Sequence, residues 1–159
     1  MIEVKVTDDM FLQAREKSIE MGKLRNSILH GNGNLAGFIG EYLANSILKG
    51  TVENTFDYDI VLTDGTLVDV KTKQTTVKPL DYYECSVAKF NPNQKCDKYA
   101  FVRVKKDFSV GWFLGIIGKE DYFKKAKFLK KGEKDGDNGF TVRADCFNLK
   151  INELSNEDF

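Results

Sequence analysis

YDIVLTDGTLVDVKTK, residues 58–73, sets two carboxylates, Asp59 and Asp69, on either side of an Asp64-Gly65 turn signal. Lys71 follows two residues after the second. On both sides of the turn the residues alternate with a period of two, so each segment reads as a strand and the whole as a β-hairpin. A two-residue loop at Asp64-Gly65 would set Ile60 opposite Asp69 and mix apolar with charged residues on each face. A three-residue loop, Thr63-Asp64-Gly65 with Gly65 left-handed, pairs Leu62 with Thr66, Ile60 with Val68 and Asp59 with Asp69. One face then carries Phe56, Tyr58, Ile60, Leu62, Val68 and Val70, and the other Asp57, Asp59, Asp69, Lys71 and Lys73. A slip of one residue would exchange the faces, so the apolar pattern selects this register. Cross-strand Cβ atoms stand about 4.5–5.5 Å apart, and two aspartates at that separation call for a cation between them.

Upstream, Ile2 to Val6 alternates as a strand. Thr7 with Asp8 and Asp9 then starts a helix that runs to Met21-Gly22 and packs through Phe11, Ala14 and Ile19. Asn34 is the expected cap of a second helix, Leu35 to Leu48, closed by Gly50. Its sequence, LAGFIGEYLANSIL, is apolar around most of its circumference except at Glu41. Gly37 and Ala44 flank that carboxylate on the helix surface and leave room for a strand, a metal or a phosphate.

Downstream, Gln74 to Pro79 reads as a loop and Tyr83 to Val87 as a strand, before a break at Asn91-Pro92-Asn93. Tyr99 to Val104 and Gly111 to Ile117 form a second hairpin through Lys106 to Ser109. A short helix spans Lys119 to Lys127, a lysine- and glycine-rich loop reaches Gly139, and Phe140 to Ile151 supplies one or two last strands.

The 159 residues fit a single domain, 1–159. No apolar run approaches the ~18 residues of a membrane span, and Met1 opens a strand pattern where a signal sequence would be basic and then apolar. A soluble, cytoplasmic protein is the expectation, with Cys85, Cys96 and Cys146 reduced, three thiols without CxxC spacing. The 24 basic and 24 acidic residues balance, although lysines dominate between Lys119 and Lys134. A single histidine, His30, excludes paired-histidine nucleases and multi-histidine zinc hydrolases. There is no Walker A or Rossmann glycine pattern either.

The remaining chemistry is oxygen-rich. Mg²⁺ takes oxygen ligands and keeps several waters, so one or two carboxylates with a substrate phosphate suffice. Asp59 and Asp69 supply them, the main-chain carbonyl of Val70 lies between Asp69 and Lys71, and Glu41 is placed to bind directly or through water. Lys71 is a compact charge suited to orienting a water and offsetting phosphorane charge.

A helix glutamate followed by a hairpin carrying Asp59 and Asp69-Val70-Lys71 resembles the PD-(D/E)xK nuclease superfamily, which includes restriction enzymes, Holliday-junction resolvases and some homing endonucleases. The resemblance covers Gly37 to Lys73. Tyr58 stands where the eponymous proline would be, and no long helix is visible between the third and fourth strands. Glu3-Val4-Lys5 repeats the acid-x-lysine pattern but lacks both an upstream carboxylate and a helix glutamate.

The resemblance implies an α/β (α+β) restriction-endonuclease-like core, a central mixed sheet flanked by helices, with Glu41, Asp59, Asp69 and Lys71 catalytic. It implies Mg²⁺, replaceable by Mn²⁺, held by Glu41, Asp59, Asp69 and Val70, and a DNA substrate cut by an endonuclease. Arg25, Asn32, Asn34, Lys73, Gln74 and Lys78 are placed to contact DNA, and a homodimer would supply two active sites. The alternatives are a non-catalytic nucleic-acid-binding or assembly protein of the same fold, and an exonuclease or RNA-directed nuclease.

Overall fold

The computed structural model describes residues 1–25, 32–53, 55–89, 93–135 and 139–155, with the side chains of 22–25 and 32–34 left out. It is a mixed α+β fold with a six-stranded sheet, a smaller three-stranded sheet and three α-helices among the described residues. Strand β1 is Ile2–Lys5 and helix α1 Asp8–Arg25, followed by α2, Asn32–Leu48. Strands β2 (Thr51–Val52), β3 (Ile60–Val61) and β4 (Leu67–Thr75) come next, then β5 (Glu84–Ala88), β6 (Lys98–Lys105) and β7 (Val110–Gly118). Helix α3 (Lys119–Lys125), β8 (Lys127–Leu129), β9 (Cys146–Lys150) and a 3₁₀ turn, Ile151–Glu153, follow among the described residues.

The large sheet runs β1-β7-β6-β4-β3-β2 and the small one β5-β9-β8. Among the described residues every pairing is antiparallel except β4 with β6, which is parallel from Val68–Lys98 to Thr75–Lys105. A parallel pair needs a crossover. Here the crossover carries β5 into the second sheet, and no helix occupies it among the described residues.

Because side chains alternate across a strand, β4 and β6 each face two layers. Val68, Ala100, Val102 and Val104 join Ile39, Leu43, Ala44 and Phe113 in a core beneath α1 and α2. Tyr99 and Phe101 face the other way, into a second core with Val87, Leu149 and Tyr122. The Tyr122 hydroxyl of α3 donates to the carbonyls of Cys85 and Phe147, at 2.9 and 2.8 Å, and ties that helix to the small sheet.

Helix α1 starts as its sequence predicts, with the Thr7 hydroxyl accepting the Met10 N–H at 3.2 Å and two aspartates in the first turn. It buries Ala14 and half-buries Phe11. Ile19, expected in the packed face, is 49% exposed, and Ser18 is buried beside it. Helix α2 begins at Asn32, two residues before the expected cap. It ends on Lys49, which takes the left-handed conformation (φ 57°) and donates to the Asn45 carbonyl at 2.9 Å. Gly50 is required for closeness: a Cβ there would lie 2.5 Å from the Val61 carbonyl oxygen.

The hairpin around Gly65 has the expected register from the loop to Val68. Ile60 pairs with Val68 and Val61 with Leu67, Leu62 N–H bonds the Thr66 carbonyl at 2.9 Å, and Gly65 has φ 88°. The expected alternation fails at Asp59. Its N–H also donates to the Val68 carbonyl, at 2.9 Å, so the chain bends there and leaves the ladder. Tyr58 consequently packs against the second core, and Phe56, expected on the apolar face, is 81% exposed. Gln74, read as the start of a loop, lies within β4.

Two helix glycines separate close approach from open space. A Cβ on Gly40 would fall 1.9 Å from Thr72 Oγ1 of β4, whereas one on Gly37 meets nothing within 4 Å. Gly40→Ala should therefore destabilise the fold by ~1–3 kcal/mol through overpacking. Gly37→Ala should stabilise it by up to ~1 kcal/mol through helix propensity. Urea unfolding of the two variants checks both signs.

Candidate active site

Asp69 and Lys71 project from β4 onto the face that carries Tyr99 and Phe101 of β6, their register partners. Asp69 is 4% exposed. Its Oδ2 meets the Lys71 Nζ at 2.6 Å and takes no hydrogen bond of acceptable geometry. The Lys71 ammonium also sits 5.8 Å above the Tyr99 ring, a cation–π contact that holds the charge at this end of the strand.

Asp59 reaches the same place from the bend before β3. Its Oδ2 accepts the Val70 N–H at 2.7 Å. Among the described residues β4 has no ladder partner on that side beyond Val68, so the carboxylate caps an otherwise open strand edge. The N–H and C=O of one strand residue point to the same edge, so the Val70 carbonyl faces the Asp59 side as well. Burial first, and the neighbouring Asp69 second, raise the Asp59 pKa to about 7. The Val70 N–H, Lys71 and Lys17 pull weakly the other way.

The structure adds one residue that sequence reasoning missed. Gln94 accepts a hydrogen bond from Lys71 Nζ at 3.2 Å through Oε1. Through Nε2 it donates to Asp69 Oδ1 at 3.3 Å and to the Phe56 carbonyl at 2.9 Å. Its own carbonyl accepts the Lys119 ammonium. The amide thus holds acid and lysine in one orientation. No spacing rule points to it, since it lies 23 residues beyond Lys71, just after the Asn91-Pro92-Asn93 break.

Glu41 is on α2 and 8% exposed. Among the described residues no group of three or more acidic, histidine or cysteine side chains is arranged to hold a metal. The structure therefore brings Asp59, Asp69 and Lys71 together, and does not join Glu41 to them in a three-carboxylate cluster. Of the expected DNA contacts, Lys73, Gln74 and Lys78 are exposed on β4 and the loop after it. Arg25 ends α1, Asn32 starts α2 and Asn34 is in its first turn; their side chains, and His30, lie outside the described residues.

A cavity of about 450 Å³ borders the site. Ala36 and Gly37 of α2 stand on one side, Glu84 and Ser86 of β5 on the other, and Val70 to Gln74 of β4 along its length. The open space at Gly37 faces this cavity. No helix is long and apolar enough to cross a membrane among the described residues. Comparison with protein-family models gave no matching family, and comparison with curated proteins gave no match.

The raised Asp59 pKa has a definite sign in stability. Below the unfolded value of 3.8 both states are protonated and Asp59 costs nothing. Between 3.8 and about 7 the unfolded chain releases a proton that the folded protein keeps, so stability falls as pH rises, and above 7 the loss is complete. Asp59→Asn should match the parent near pH 4 and exceed it at pH 8 by up to ~4 kcal/mol. Denaturant titrations at the two pH values check the difference.

Proposed function

We propose that the protein is a Mg²⁺-dependent DNA endonuclease of the PD-(D/E)xK type, hydrolysing phosphodiester bonds. The observation that carries the reading is the junction of Asp59, Asp69 and Lys71 at the open edge of β4. Two carboxylates are held together there, with a lysine on one of them. The order of elements supports it: a glutamate-bearing helix, an antiparallel β2-β3-β4 run, then β6 parallel to β4. That order is compatible with a restriction-endonuclease-like core whose crossover helix is replaced by β5.

The residues fit a hard divalent cation. The donors are all oxygen, Asp59 is held beside a like charge at a cost that a cation would remove, and Asp69 Oδ2, ion-paired with Lys71, makes no hydrogen bond of good geometry. Asp59, Asp69 and the Val70 carbonyl would hold Mg²⁺ or Mn²⁺, with Glu41 as a further ligand through water. Bound there, the ion supplies positive charge to the scissile phosphate and acidifies a water.

The protein's own groups do the rest. Lys71, paired with Asp69 at 2.6 Å, would orient the attacking water. It then offsets charge on the phosphorane. Gln94 Oε1, which accepts from the ammonium, would keep it aimed. Asp59, bonded to the Val70 N–H, stays fixed to the strand edge. Lys73, Gln74 and Lys78 continue the polar edge of β4 and position the substrate backbone. A homodimer acting in the cytoplasm would place two such sites on opposite strands of one duplex.

Asp69→Asn and Lys71→Ala should each lower Mg²⁺-dependent cleavage by at least a hundredfold while circular dichroism stays that of the parent. The assay uses supercoiled, linear, single-stranded and four-way-junction DNA. Mg²⁺ should also raise the parent's melting temperature at pH 8 and leave that of Asp69→Asn unmoved. Full cleavage by either variant would sink the assignment. Absence of both Mg²⁺ stabilisation and cleavage would favour a non-catalytic protein of this fold.

A further inference from the structure

Beside the cavity at the site is a larger one, of about 770 Å³, on the side of the small sheet; Lys73, Glu84, Ser86 and Arg103 line both. This second cavity is large enough for a drug-sized molecule, and its chemistry is uneven. Lys73 and Arg103 are register partners on the parallel strands β4 and β6, so two cations stand side by side at its inner end. Lys73 donates to the Ser86 hydroxyl at 2.7 Å and Arg103 to the Glu84 carbonyl at 2.9 Å, both neutral acceptors. The Glu84 carboxylate takes the Asn148 amide at 2.7 Å. Asp135, at the far side, faces Lys127 at 3.7 Å.

The outer end is aromatic. Tyr82 and Phe140 line the cavity while remaining 58% and 54% exposed. The Tyr82 ring meets Tyr83 edge-on at 5.2 Å, Arg103 lies 5.7 Å over Tyr83, and Arg143 lies 5.7 Å over Phe140. Two exposed rings, Phe140 with a guanidinium over it, beside a pair of cations are the two halves of a nucleotide site: a platform for a base and a seat for a phosphate.

We infer that this cavity takes one unpaired nucleotide of the substrate strand, its phosphate between Lys73 and Arg103 and its base against Tyr82 and Phe140. The inference rests on the nuclease reading and names its substrate class, DNA that is single-stranded or locally opened. Lys73 follows Lys71 by two residues on β4, ~6.6 Å at about 3.3 Å per residue, the reach of one extended nucleotide. A base inside a duplex stack cannot enter a walled cavity, so it must leave the stack first. Loss of water around the Lys73 ammonium, and then the charge of Arg103, lower its pKa; the opposing pull of Glu84 is smaller. An anion arriving between the two cations reverses that penalty.

The test is fluorescence anisotropy in EDTA with a labelled ten-residue oligo(dT) and a blunt hairpin duplex of equal length. Tyr82→Ala, Phe140→Ala and Arg143→Ala change exposed positions, and circular dichroism monitors their fold. The parent should bind the single strand at least tenfold more tightly than the duplex. Each aromatic variant should weaken single-strand binding about tenfold or more, and Arg143→Ala should also lower its salt dependence. Equal affinity for the two DNAs, or single-strand affinity unchanged in the variants, overturns the inference. A parallel Mg²⁺ digest separates the two readings. Cleavage without pocket-dependent binding removes the pocket and keeps the nuclease, while pocket-dependent binding without cleavage removes the nuclease and keeps the pocket.

Discussion

The parallel ladder between β4 and β6, unbroken from Val68–Lys98 to Thr75–Lys105, is the constraint from which the rest follows. It fixes which side chains of two central strands point to the helices and which to the small sheet. Val68 and Val102 are thereby committed to the core under α2, and Asp69, Lys71 and Lys73 to the face shared with Tyr99, Phe101 and Arg103. The site and the core are the two faces of one strand. A change of register by a single residue would exchange the two faces, setting the charges under the helices and the valines against the small sheet.

The same ladder leaves one edge of β4 open. Strand β3 pairs for two residues only, and the bend at Asp59 ends it. What would be a liability, an unpaired strand edge, is closed by the Asp59 carboxylate on the Val70 N–H. A carboxylate here is expensive, as its raised pKa records, and an amide or hydroxyl would satisfy the same N–H at less cost. An aspartate stands here although its charge disfavours the folded state.

Much of this was legible in the residues and some was not. The loop Thr63-Asp64-Gly65 and the pairing up to Val68 followed from alternation, because one face had to be apolar. Alternation then overran its range, since nothing in Tyr58-Asp59 announces that the chain bends and sends Tyr58 to the other layer. Glu41 stood out as a charge on a greasy helix, and it is buried on that helix, yet burial did not carry it into a cluster with Asp59 and Asp69. Gln94 was invisible because its role depends on a crossover that brings distant chain to Asp69. The small sheet was foreshadowed only as isolated strands, Tyr83 to Val87 and Phe140 to Ile151. Their pairing through Glu84–Lys150 is a tertiary choice that local pattern does not encode.

Among the described residues strand β1 has its only ladder partner in β7, from Ile2–Phe113 to Lys5–Val110, and the Glu3 carboxylate accepts the Trp112 indole N–H at 2.8 Å. Residues made earlier are thus bonded to residues made more than a hundred later. During synthesis β1 must wait, unpaired, until β7 has emerged, and the contacts that close this edge are among the longest-range in the molecule. Such separations slow folding and leave a nascent edge exposed to other chains meanwhile. With Glu3 and Lys5 on so short a strand, the waiting edge carries charge of both signs, the kind of decoration that discourages stray pairing before its partner arrives.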